Sequence, residues 1–112
     1  MKKLIPRKFE RKRFVGEAAV RPLTGGVSMS AQVLNLAQSG LAMFVSHGLP
    51  TGQLVELTFR VTEPATRAGL DKREGRVVRS QANPDGNVIG IVFTQRLETN
   101  EMQLLEENWV RT

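Results

Sequence analysis

Residues Val33–Val45 read VLNLAQSGLAMFV. One apolar run ends at Asn35-Leu36, the polar bend Ala37-Gln38-Ser39-Gly40 follows, and a second apolar run opens at Leu41. Apolar runs on either side of a cluster of turn formers spell strand, sharp turn, strand. Glycine at 40 admits backbone angles closed to other residues and lets another group come close to the main chain. Asn35, Gln38 and Ser39 bring two amides and a hydroxyl to the bend. The same residue types are ordinary turn formers. The bend therefore reads either as a plain polar hairpin or as one that presents donors and acceptors to a ligand.

The flanks continue the strand pattern. Upstream, Val27, Met29, Ala31 and Val33 alternate with Ser28, Ser30 and Gln32, which predicts a strand over 27–36 with the first set on one face. A first strand is expected over Ala18–Leu23, with Pro22 pushing it toward an edge or an end, and Thr24-Gly25-Gly26 forms a turn. Downstream, strands are expected over Leu41–Val45, Leu54–Val61, Arg73–Gln81 and Val88–Phe93. Val55, Leu57, Phe59 and Val61 share one face of the fourth, and the sixth is apolar enough to be buried. Loops fall at His47–Gly52 and Glu63–Asp71, and Asn83–Asn87 is the clearest turn. Thr99 or Asn100 can cap a terminal helix, on which Met102, Leu105 and Trp109 form one stripe. Six short strands and one helix predict an all-β fold, a six-stranded antiparallel barrel with a C-terminal helix.

With 112 residues the chain supports one modest core. It has no cysteine, which excludes disulfides, thiolate metal sites and a cysteine nucleophile. No apolar run approaches the roughly 20 residues that span a bilayer, and no signal-peptide core follows the basic start. A cytoplasmic protein without a transmembrane segment is the expectation. The net charge is +5, but it is concentrated. Seven of the 16 basic residues lie within the first thirteen positions, opposed only by Glu10, which leaves nine basic against ten acidic groups in the rest. Residues 1–16 therefore read as a flexible basic arm and 17–112 as a single near-neutral domain. Such an arm suits an anionic partner, and equally a solubilising tail.

The residues of enzyme chemistry are missing. There is no cysteine or tyrosine, the single histidine, His47, sits in a loop without a second ligand, and no phosphate loop or metal-ligand spacing occurs. The acidic residues near the helix read as a solvated face. A non-enzyme without cofactor is expected.

The order of elements resembles that of the PilZ domain, a bacterial six-stranded barrel that commonly binds cyclic di-GMP. The resemblance runs from about Glu10 to Trp109. It is carried by Glu10-Arg11-Lys12-Arg13-Phe14, Asn35-Leu36-Ala37-Gln38-Ser39-Gly40-Leu41, Gly75-Arg76-Val77-Val78-Arg79 and Ile89-Gly90-Ile91-Val92-Phe93. The family holds its ligand with an RxxxR arm motif and a [D/N]xSxxG bend. Arginine suits the first, because its planar fork pairs with phosphate or a guanine edge. In the register set by Arg13-Phe14, the two motif arginines fall on Lys12 and Gly16, while Arg7 and Arg11 form an RxxxR earlier in the chain. In the bend, Asn35 and Gly40 match and Ala37 replaces the serine, with Ser39 nearby.

The resemblance implies a non-catalytic cyclic di-GMP receptor. Arg7, Arg11, Lys12 and Arg13 would clamp phosphate or guanine, Asn35 and Ser39 would bond the base, and Gly40 would admit it. Ligand binding would change the conformation of the arm and hence binding of an effector protein. The alternative is a degenerate PilZ scaffold that does not bind cyclic di-GMP and acts by protein contact in motility or pilus control. Binding of RNA or DNA through the arm ranks last and no DNA partner is expected, since aromatics for base stacking are few.

Overall fold

The structure, a computed structural model, describes residues 16–61 and 71–110. Six strands, β1 (Gly16–Pro22), β2 (Met29–Ala37), β3 (Gly40–Val45), β4 (Leu54–Phe59), β5 (Lys72–Asn83) and β6 (Gly86–Phe93), precede one helix, α1 (Thr99–Asn108). Every pairing is antiparallel, and the strands close in the order β1-β2-β3-β6-β5-β4. Closure removes the free sheet edges that would otherwise template aggregation.

Strict alternation builds the core. Val20, Val33, Met43, Leu57, Val77 and Ile89, one from each strand, are at most 1% exposed, and no polar or charged side chain is buried among the described residues. In β4 the inward set is Val55, Leu57 and Phe59, as the alternation predicts. β6 differs from expectation: it is buried on one face only, with Ile89, Ile91 and Phe93 inside and Val92 47% exposed outside. β2 is also shorter than its pattern. The ladder with β1 ends at Val20↔Met29, so Val27 falls in the connecting turn and is 86% exposed. Gly25 and Gly26 in that turn have φ of 108° and 133°, which only glycine adopts without strain.

The helix closes one end of the barrel. Its cap is Glu98 rather than Thr99 or Asn100: Glu98 and Glu101 form a capping box, the Glu98 amide donating to Glu101 Oε1 at 2.8 Å. Leu105 is fully buried and Met102 packs against the core. Trp109 belongs to the same apolar contact but lies just past the helix, in extended backbone bridged to Val61. Its ring meets Phe59 edge-on at 5.0 Å, and its Nε1 donates to the Glu17 carbonyl at 2.7 Å. Val110 then bonds Glu17 of β1 and Arg60, just past β4, through its main chain, so residues 109–110 lie against the adjoining ends of these two paired strands. Beneath the helix, Arg73 pairs with Glu101 at 2.9 Å. The starts of β1, β3 and β5 and the ends of β2, β4 and β6 all lie at this closed end.

Candidate functional site

At the bend, Ala37 pairs with Gly40 across a two-residue link, Gln38-Ser39. Much of this link is committed to the fold. The Phe93 amide donates to the Ser39 carbonyl and the Leu97 amide to the Gln38 carbonyl, both at 2.9 Å. The Gln38 amide donates to the Leu97 carbonyl at 3.2 Å and to Thr99 Oγ1 at 3.3 Å. The bend is thus tied to the segment that leads from β6 into α1.

Gly40 is required for a different reason from the one its sequence context suggests. Among the described residues the glycines with positive φ are 25, 26, 52 and 86, and Gly40 is not one of them. It is buried, and a Cβ there would overlap the Ile91 carbonyl oxygen and lie 3.1 Å from Val92 Cα. The main chain that comes close to Gly40 is β6, so the glycine serves the β3–β6 contact.

Asn35 differs from its neighbours. The β2–β3 register shifts between Val33 and Asn35, so Leu34 and Asn35 form a bulge opposite Ala42. Residues paired across a ladder share a face, and Ala42 lies between the inward Leu41 and Met43. Asn35 therefore stands on the outer face, half-buried, and its side-chain amide has no hydrogen-bond partner among the described residues. Ser39 is exposed and its hydroxyl is likewise unpartnered there.

A second bulge lies across the sheet. The β5–β6 register shifts between Val77 and Arg79, which sets Val78 and Arg79 opposite Gly90, and Gly90 is itself paired with Ala42. One outer row thus runs Asn35, Ala42, Gly90, Arg79. Sequence reasoning named Gly75–Arg79 for likeness alone and did not single out Arg79, because its place in one row with Asn35 follows from pairing and not from spacing.

Arg7, Arg11, Lys12 and Arg13 lie outside the described residues. Their point of attachment does not. The described chain begins at Gly16, opposite Val33 and beside the strand that carries Asn35. Gly16 opens β1 and is buried beneath Trp109, whose ring atoms would be 2.6 Å from a Cβ at that position. An arginine at 16, as the arm motif would have it, cannot be accommodated without moving the indole.

Other surface features are separate from this row. A hollow of about 410 Å³ lies on the outer face of β1, lined by Ala19, Ser30, Gln32 and Thr58, with the Arg60–Glu17 ion pair at 2.9 Å on its rim. His47 is exposed and bonds Ser46 at 3.1 Å. Among the described residues no group of three potential metal ligands occurs, and no helix is long and apolar enough to cross a membrane.

Compared with known proteins, residues 6–108 match the family model described as the PilZ domain. No curated protein matches the chain.

Proposed function

The chain belongs to the PilZ domain family, whose members are in general non-catalytic cyclic di-GMP receptors, and from that premise we propose that it binds cyclic di-GMP on the outer face of the barrel. The observation that carries this reading is the Asn35 amide, unpartnered among the described residues and held outward by the β2 bulge next to the strand where the basic arm enters. An amide offers a donor and an acceptor together, as a guanine edge requires. Ser39 adds an exposed hydroxyl. Arg7, Arg11, Lys12 and Arg13 supply cations for the phosphates, and the arm closes over the ligand. That closure alters the surface offered to an effector protein, an order–disorder form of switching. Gly40 supports the site by seating β3 against β6.

The test is calorimetric titration of the full chain with cyclic di-GMP, with GTP and cyclic di-AMP as controls. A selective micromolar or tighter signal is expected. Asn35→Ala should weaken it about 10- to 100-fold, the usual range for a lost hydrogen bond to a charged or buried group, without lowering the melting temperature. No heat at hundreds of micromolar ligand would overturn the reading. One observation favours the other role, a scaffold acting by protein contact: Gly16 is locked under Trp109, where the arm motif calls for an arginine.

A further inference from the structure

The arrangement of the two bulges points to what replaces the missing arginine. We infer that Arg79, on β5, is a ligand-binding residue of this protein, facing Asn35 across a floor formed by Ala42 and Gly90. The inference rests on the cyclic di-GMP reading and adds to it a residue and a geometry.

Three observations converge. First, the bulges oppose one another. Ala42 and Gly90 are directly paired, the β2 bulge lies beside Ala42, and the β5 bulge lies beside Gly90. A bulge bends its strand and re-aims side chains. Here both lie against the same pair, and a Cβ placed on Gly90 would touch Arg79 Cβ at 3.4 Å and Val78 Cγ2 at 3.9 Å. Arg79 and Val78 therefore rise from the outer face beside Gly90.

Second, the floor is bare. The neighbouring cross-strand pair on the same face is Phe44↔Val88 on one side, and Gly40↔Val92 lies on the other. Between them only a methyl group and a hydrogen project. A planar base can lie against main chain there, with apolar side chains at its margins. From β2 to β5 the row crosses three strand spacings, about 14 Å, which leaves room for a base between the Asn35 amide and the Arg79 guanidinium.

Third, the side chains at the two ends are uncommitted among the described residues. Arg21, Arg60 and Arg73 of the barrel are ion-paired with Glu56, Glu17 and Glu101. Arg79 is exposed, with no hydrogen bond or ion pair among the described residues. Val78 beside it is an exposed apolar residue at 52%. A forked cation next to an apolar shelf, facing an amide, is suited to a ligand that carries both a planar guanine and a phosphate.

The same titration tests this with four proteins: wild type, Arg79→Ala, Arg79→Lys and Arg96→Ala. Arg96 is an exposed arginine beyond β6 and outside the row. Arg79→Ala should weaken cyclic di-GMP binding about 10- to 100-fold. Arg79→Lys should recover less than a third of that loss on a logarithmic scale, because lysine keeps the charge without the fork. Arg96→Ala should stay within twofold of wild type. Melting temperatures should agree within 2 °C for all four, since neither arginine supports the fold. Wild-type binding with Arg79→Ala unchanged would overturn the role of Arg79 and leave the receptor reading intact. Equal losses in Arg79→Ala and Arg96→Ala would reduce Arg79 to diffuse charge and also overturn it. Absence of binding by wild type would overturn both readings.

Discussion

Gln38 and Asn35 are carboxamides three residues apart in one hairpin, and they are used in opposite ways. Gln38 bonds the Leu97 carbonyl and the Thr99 hydroxyl and thereby ties the bend to the helix that closes the barrel. Asn35 is set outward by a bulge, and its side-chain amide bonds nothing among the described residues. The contrast extends to their surroundings. The bend tip is a structural clamp, with its carbonyls bonded to the end of β6 and the segment after it and its glycine against β6. The paired bulges form a surface of small residues, exposed valines and polar ends that are unpartnered among the described residues. A motif that reads as one stretch is therefore divided into a part that holds the fold and a part available to a ligand. Stability and binding should respond to different residues within seven positions of each other.

The largest effect should come from Gly40→Ala. Its Cβ would overlap backbone rather than the tip of a flexible side chain, so β3 and β6 must separate. Overpacking of this kind costs about 3 kcal/mol, and for a domain of this size the melting temperature should fall by roughly 10–20 °C. Thermal unfolding followed by circular dichroism measures it. A fall below 3 °C would mean that the glycine serves something other than the β6 contact.

Gln38→Ala should come next. It removes two side-chain hydrogen bonds, one of them exposed, and should cost about 1–2 kcal/mol of stability. Cyclic di-GMP affinity should change less than threefold. If affinity instead fell tenfold with stability unchanged, the clamp and the site would have been assigned the wrong way round.

Much of the fold was legible because a barrel core depends on alternation, and alternation is local. Val55, Leu57 and Phe59 point inward because nothing interrupts the period. Errors arose where a distant partner decides the outcome. Val27 continues the alternation of β2, yet the β1 ladder stops at Met29. Trp109 continues the helical stripe, yet Val61 captures it as extended chain. Glu98 caps the helix because Glu101 answers it, whereas the nearer Thr99 is engaged by Gln38. Of the candidate site, Asn35 was legible through its resemblance to the family motif. Arg79 was not, because a bulge is a property of two paired strands, and the row it completes crosses four. The reason for Gly40 was hidden likewise: φ freedom and close approach look identical in sequence.

The smallest expected effect is the most discriminating, because it is a gain. Ala37 is exposed, two residues from Asn35 and on the same side of β2, about 7 Å along the strand. Ala37→Ser adds a hydroxyl where the family motif carries serine, at the boundary between clamp and open surface. Alanine's methyl touches no core there, so the melting temperature should stay within 2 °C. If a ligand lies along the outer row and reaches the bend, one neutral hydrogen bond should tighten binding about 3- to 10-fold. Calorimetry of Ala37→Ser against wild type reads this directly. Tighter binding places the ligand across both β2 and the bend. Unchanged binding, with Asn35→Ala still defective, restricts it to the floor between the bulges, and the bend is then clamp alone.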